Sequence, residues 1–318
     1  MQQRKLGGSQ LEVSLVGMGC NNFGSRIDLE AARKVVDAAI DHGITLFDTA
    51  DIYGSESGAS ESVLGKALGE RRKKVVIATK FAKPMDGSSE QRRGSRAYVM
   101  QSAEASLRRL GTDWIDLYQM HEPDPATPIE ETLRALDDLV KAGKLRYVGC
   151  SNFSAREVTI AQQVARETSL TRFISCQDEY SLVARDIENE RLPVMKAEGL
   201  GLLPYFPLAS GLLTGKYQRD VALPEQSRFA HWKGLGDRYL TDANWDIVEK
   251  LDAFAGQHGH SLLDLAFSWL AAQEPVASVI AGATRPEQVA QNAKAAQWKL
   301  GVDELAEIDR LTTGNCRD

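Results

Sequence analysis

The chain predicts an α/β fold, a (β/α)8 TIM barrel with an N-terminal β-hairpin closing the barrel bottom. Three observations predict it. Short apolar runs alternate with longer amphipathic ones, giving eight strand–helix units. The strand runs are near-continuously apolar, as expected of parallel strands covered on both faces. A length of 318 residues fits eight units in one closed barrel better than an open doubly wound sheet, so residues 1–318 read as a single domain.

Each element has its own signal. Gly7-Gly8-Ser9 separates two strand-like pieces between Arg4 and Ser14, which predicts the hairpin. Val16–Gly19 is the first barrel strand. Residues 29–42 carry Ala32, Val35, Val36, Ala39 and Ile40 at helical spacing, and Gly43 ends that helix. Strand 44–49 and helix 60–68 follow, then the β-branched strand 75–80 and helix 96–110, stopped by Gly111. Strand 115–121 precedes helix 129–142, which Gly143 stops. Strand 145–151 and helix 154–167 come next, then strand 173–177 and helix 187–198, which Gly199 stops. The last two units are strand 202–206 with helix 262–272, and strand 276–281 with helix 286–296, whose first turn holds Pro286. Two long segments, 81–95 and 217–243, leave from strand C-terminal ends, where barrels build their active sites. The second contains Phe229, Trp232 and Tyr239.

Composition narrows the function. The net charge of −6 comes with no long basic run, which argues against nucleic acid and anionic membranes as partners. The basic cluster 71–74 reads as a solvated helix end. Cys20, Cys150, Cys176 and Cys316 are dispersed, without zinc-type spacing. His258-Gly259-His260 lacks a third ligand, so no metal is expected. The N-terminal residues carry no apolar core of a secretory signal, and no run reaches the roughly 20 apolar residues of a membrane span. The cytoplasm is therefore the expected compartment. Gly17-Met18-Gly19 is only a fragment of the dinucleotide-binding glycine fingerprint.

Chemistry gathers at the strand ends. Asp48 and Tyr53 follow strand two, Lys80 ends strand three, and His121 ends strand four. Taken singly these residues have ordinary readings: a cap, a packing aromatic, an exposed lysine, a loop histidine. Together they place a carboxylate, a phenol, an ammonium and an imidazole at one rim. Carbonyl reduction needs a hydride on carbon and a proton on oxygen. A free tyrosine is too weak an acid, with a pKa of about 10, and a nearby ammonium lowers that value. Lys80 can supply the charge, Asp48 can hold Lys80 as a buried ion pair, and His121 can orient the substrate oxygen.

The segments Phe47-Asp48-Thr49-Ala50-Asp51-Ile52-Tyr53-Gly54, Ala78-Thr79-Lys80-Phe81 and Tyr118-Gln119-Met120-His121 resemble those of the aldo-keto reductases, and the resemblance runs the length of the chain. It implies catalytic roles for Asp48, Tyr53, Lys80 and His121. It also implies that Ser151, Asn152 and Gln177 grip a nicotinamide carboxamide while Tyr205 stacks on the ring. Phe206, Pro207, Leu208, Ser210, Gly211, Leu213, Thr214 and Lys216 then fall in the stretch that covers the pyrophosphate. Gly282, Thr284, Arg285, Gln288, Gln291 and Asn292 match the adenosine end. Asn152 has a second reading, as the cap of the helix from Ser154. Many relatives carry an arginine directly after the Gly-Ala pair. Here Thr284 stands there and Arg285 follows. Lys216 and Arg285 can still grip a 2′-phosphate, which favours NADP(H) over NAD(H). Phe23 and Trp232 are candidate substrate-pocket walls, with core or surface packing as the alternative for each.

The resemblance implies reduction of small-molecule aldehydes or ketones to alcohols, and a monomer is the default expectation. Its alternatives are oxidation of a sugar or alcohol, and a cofactor-binding regulatory subunit like the potassium-channel β subunits of the same branch. Those subunits usually carry an N-terminal extension. This chain starts almost at its first hairpin strand, so the enzyme reading is the expectation.

Overall fold

The computed structural model describes residues 1–85, 92–224 and 227–313. Part of the segment 81–95, residues 86–91, and Cys316 lie outside the described residues. β1 (Gln3–Lys5) and β2 (Glu12–Ser14) form the antiparallel hairpin. Gly7 turns it at φ +58, and a Cβ there would sit 2.5 Å from the Gly199 carbonyl oxygen. That close approach seats the hairpin on the barrel floor.

Eight parallel strands follow: β3 (Val16–Gly19), β4 (Leu46–Asp48), β5 (Val76–Phe81), β6 (Ile115–Met120), β7 (Leu145–Ser151), β8 (Phe173–Gln177), β9 (Gly201–Leu202) and β10 (Val279–Gly282). Their order is β10-β3-β4-β5-β6-β7-β8-β9. A bridge between Leu202 and Val276 joins the two ends of that order, so the sheet closes as a TIM barrel. β9 is shorter than its apolar run because Pro204 and Pro207 cannot donate to a ladder.

The matching helices are α1 (Leu29–Asp41), α2 (Ala59–Leu68), α3 (Arg96–Leu110), α4 (Ile129–Lys141), α5 (Ala155–Glu167) and α6 (Arg191–Glu198). The helix expected over 187–198 begins only at Arg191, after a short 3-10 turn. Pro193 clashes with a continuing turn before it and fits only near a helix start. Segment 217–243, expected as a mixed loop, instead holds α7 (Arg228–His231), α8 (Lys233–Tyr239) and the start of α9 (Asp242–Gln257). α10 (Leu262–Ala272) and α11 (Pro286–Ala295) complete the barrel units. α9 and α12 (Val302–Thr313) stand outside the eight units and were not expected.

Side-chain alternation sorts the core into layers. Leu46, Ala78, Leu117 and Leu203 face the barrel interior above Leu6 and Val13 of the hairpin. Two residues further along, the same interior face carries Asp48, Lys80 and Gln119. The opposite faces pack against the helices as the larger apolar core. The basic cluster 71–74 departs from the solvated reading in one residue. Arg72 is buried and ion-pairs Asp116 at 2.8 Å, with its guanidinium over the Trp114 ring.

Candidate active site

The four strand-end residues converge on the upper mouth of the barrel. Lys80 is fully buried, and its Nζ donates to Asp48 Oδ2 at 2.8 Å and to the Thr49 carbonyl at 2.7 Å. Asp48 Oδ1 accepts from Gln177 Nε2 at 2.9 Å and from Gln119 Nε2 at 3.4 Å. Donors from three strands thus lock one carboxylate. A buried charge pair survives only when its spare lone pairs are satisfied in this way. Tyr53 stands half-buried on the turn after β4, with Lys80 Nζ 5.0 Å from its ring centroid. His121 meets the Tyr53 ring edge-on at 5.8 Å.

The electrostatics refine the sequence reading. Burial alone would lower the Lys80 ammonium, yet Asp48 and then Tyr53 outweigh it and the net direction is upward. Burial raises the Tyr53 phenol above its usual value, against a downward pull from Lys80. The expected net lowering of Tyr53 is therefore corrected: Lys80 acts in the predicted direction, but desolvation is larger. Burial, then Lys80 and Lys83, push the His121 imidazole well below its ordinary value. His121 is thus neutral, and its Nδ1 is buried without a hydrogen bond among the described residues.

The residues expected around a nicotinamide are knitted to one another. Ser151 Oγ donates to the Gln177 carbonyl at 2.8 Å. Asn152, at φ 60, donates through Nδ2 to the His121 carbonyl at 2.9 Å and to Ser151 Oγ, while its Oδ1 accepts from the Tyr205 hydroxyl at 2.8 Å. Asn152 is not the helix cap: Ser154 caps α5 in a reciprocal capping box with Glu157. Phe206 and Pro207 lead into residues 209–214, a kinked 3-10 stretch in which Ser210 and Gly211 take φ 57 and 107. Leu208 and Leu213 pack inward there, and Thr214 Oγ1 donates to the Gly211 carbonyl. A Cβ on Gly211 would lie 3.1 Å from Lys216 Nζ. On the neighbouring strand Gly282 ends β10, Arg285 is the exposed N-cap of α11, and Gln291 and Asn292 sit on that helix. Gln288 Oε1 accepts from Thr284 N–H at 2.9 Å and Thr284 Oγ1 at 3.1 Å, so it braces the turn.

The two pocket-wall candidates part company. Trp232 is 55% exposed beside the mouth. Phe23 has no exposed surface and packs in the core, because the turn after β3 folds over it through Phe23 N–H to Cys20 and Gly24 N–H to Ile27.

The aldo/keto reductase family profile matches residues 15–313. The chain belongs to the aldo/keto reductase family. Among its relatives is a probable voltage-gated potassium channel subunit beta of Arabidopsis thaliana, 39% identical over 302 residues that cover 93% of this chain and 91% of that protein. The L-glyceraldehyde 3-phosphate reductase of Escherichia coli (strain K12) is 35% identical over 321 residues, 98% of this chain and 92% of that enzyme. The uncharacterized oxidoreductase YrpG of Bacillus subtilis (strain 168) is 34% identical over 323 residues, 99% and 97% of the two chains.

Aldo/keto reductases typically use nicotinamide cofactors, and this chain's residues fit one. The left-handed Ser210 and Gly211 form a tight cradle-like turn whose Gly211 N–H is held by the Leu208 carbonyl. The buried Ser210 Oγ has no partner among the described residues. Arg228, missed in the sequence, lies over the Phe206 ring at 5.2 Å and the Trp232 ring at 5.5 Å. Burial and then Arg26 lower its guanidinium, and no carboxylate pairs it among the described residues. An unneutralised, desolvated guanidinium beside such a cradle suits a phosphate. Its only sequence signal was membership of an aromatic-rich segment, which does not reveal packing. Among the described residues no His, Cys, Asp and Glu cluster could hold a metal, and no helix is long and apolar enough to cross a membrane.

Proposed function

We propose that the protein reduces aldehyde or ketone carbonyls to alcohols with NADPH, and that Tyr53 is the general acid. One observation carries this reading: Tyr53 stands at the barrel mouth directly over the buried Lys80–Asp48 pair. NADPH, when bound, supplies the hydride. Tyr53 then passes its hydroxyl proton to the carbonyl oxygen, and the Lys80 ammonium carries compensating charge beneath the phenolate. Asp48 keeps Lys80 protonated and aimed. The neutral His121 ring donates an N–H to the same oxygen and orients it. Gln177, Asn152 and Ser151 hold the carboxamide, and Tyr205 supplies the stacking face.

Phosphate binding falls to the cradle at Ser210 and Gly211, with Arg228 and Lys216 as its cations. Arg285 stands at the adenosine end, and this supply of cations favours NADP(H). The substrate panel begins with small aldehydes and includes a phosphorylated one, because one relative is named for such a substrate. A compartment with reduced thiols suits the free, buried Cys20, Cys150 and Cys176, so we place the protein in the cytoplasm. A regulatory role is the second reading, favoured by the Arabidopsis relative. Chain length does not separate the two, since this chain covers 91% of that subunit. Turnover does. Tyr53→Phe is expected to lower kcat by about 10²–10⁴-fold and leave the cofactor Kd within about twofold of wild type. Near-wild-type turnover in that variant contradicts the mechanism.

A further inference from the structure

A second cluster of titratable groups lies back-to-back with the first. Asp48 and Lys80 face the barrel interior, while the alternate residues of the same strands face the helices. On that outer side Thr79 Oγ1 donates to Glu61 Oε1 at 2.5 Å, and Arg109 Nε donates to Glu61 Oε2 at 2.6 Å. Glu61 is fully buried on α2, and Arg109 comes from α3. Asp51 joins the two clusters. It sits between Asp48 and Tyr53 on the turn after β4, and its backbone N–H reaches the Lys80 carbonyl. Its side chain is fully buried, and neither carboxylate oxygen has a hydrogen-bond partner among the described residues.

A carboxylate in that position is costly, because among the described residues no side chain donates to it and a second carboxylate, Glu61, faces it. The groups around it are Glu61 from α2, Arg109 from α3, Lys80 from β5, Tyr118 from β6 and Tyr53 on its own turn. The Tyr118 hydroxyl is also buried without a partner among the described residues. Arg109 is spent on Glu61, and Lys80 is spent on Asp48.

We infer that Asp51 is a positioning residue of the hydride-transfer site, working as a neutral carboxylic acid whose ionisation withdraws Lys80's support from Tyr53. The inference rests on the carbonyl-reducing function proposed above. Burial first, then Glu61, push the Asp51 carboxyl up to about 8. Below that pH the full charge of Lys80 serves the phenolate that forms when Tyr53 gives up its proton. Above it, an anion at Asp51 opposes the phenolate and shares the ammonium. Reduction therefore slows with pH before Tyr53 itself titrates.

The test is kcat against pH for carbonyl reduction in wild type, Asp51→Asn and Glu61→Gln, at saturating NADPH. Wild type is expected to show an alkaline limb near pH 8. Asp51→Asn carries the limb away to higher pH. Glu61→Gln removes the anion that keeps Asp51 protonated and frees Arg109 to face it, so the limb moves to lower pH. Opposite shifts in two variants of one cluster cannot come from a general loss of structure, and either variant alone reports the direction if the other fails to fold. Coincident profiles in an active wild type and Asp51→Asn overturn the role of Asp51. A wild type that binds NADPH but reduces no carbonyl instead contradicts the underlying function.

Discussion

At the scale of single residues, protons held in the fold set the pH response. Asp51 keeps its proton to about pH 8 and Asp178 to about pH 6, both chiefly through burial, the second against Arg191. An unfolded aspartate releases its proton near 3.8. Folded pKa values above unfolded ones give stability that is present in acid and lost as pH rises through the folded value. For Asp51 the loss is on the order of 4 kcal/mol at pH 7. Asp124 and Asp137 act in the opposite sense. Burial would raise each, but donors outweigh it: Gly94 N–H, Thr127 and Ala126 N–H for Asp124, and Lys141 and Thr171 for Asp137. Their contribution is present above the ordinary carboxylate range and lost as pH falls through their lowered values. Thermal melts are thus expected to peak at about pH 4, where the falling contribution of the raised pair meets the rising one of the lowered pair, and Asp51→Asn to raise Tm far more at pH 8 than at pH 5. An equal rise at both values contradicts a buried, protonated Asp51.

At the scale of elements, α7 and α8 close over the cradle. Phe206 meets Tyr239 edge-on at 6.4 Å, and Tyr217 packs on Phe229 at 4.9 Å. Glu179, just past β8, accepts from both Arg238 and the Tyr239 hydroxyl, and so fastens the end of α8 to the barrel. Glu179→Gln weakens a doubly charge-assisted latch. It is expected to raise the NADPH Kd by about tenfold, equivalent to about 1.4 kcal/mol, mostly through faster release in stopped-flow fluorescence. An unchanged release rate contradicts the latch. These helices were not legible as helices. Their segment carries Gly234, Gly236 and Pro224 among aromatics, a composition that reads as loop until tertiary contacts fix it. The signals of α9 are present in the sequence, since Thr241 caps it and Trp245, Val248, Leu251 and Ala255 recur at helical spacing, but it belongs to no strand–helix unit.

At the scale of the molecule, the barrel was legible because its two periodicities are strong: continuous apolar strands and glycine-stopped helices. Helix α3 and strands β7 and β8 fall on their expected bounds. The ends of β9 and the start of α6 were not, because proline chemistry shortened both. In the site, Asp48, Tyr53, Lys80 and His121 could be read because each closes or follows a strand, where a barrel must aim it at one mouth. Gln119 and Arg228 could not. The first looks like any strand residue until the register places it opposite Lys80, and the second depends on which rings cover it. The net direction of the Tyr53 shift was also hidden, because a sequence names the charge partner but not the depth of burial.

The central claim is that this barrel is an NADPH-binding carbonyl reductase. Its most direct test is a paired titration of the wild-type protein with NADPH and NADH, followed by quenching of intrinsic fluorescence. Tyr205, Trp232 and Tyr53 lie about the mouth to report binding. Saturable binding with NADPH at least about tenfold tighter than NADH, a difference of about 1.4 kcal/mol, is the predicted result. Binding of neither nucleotide contradicts the claim.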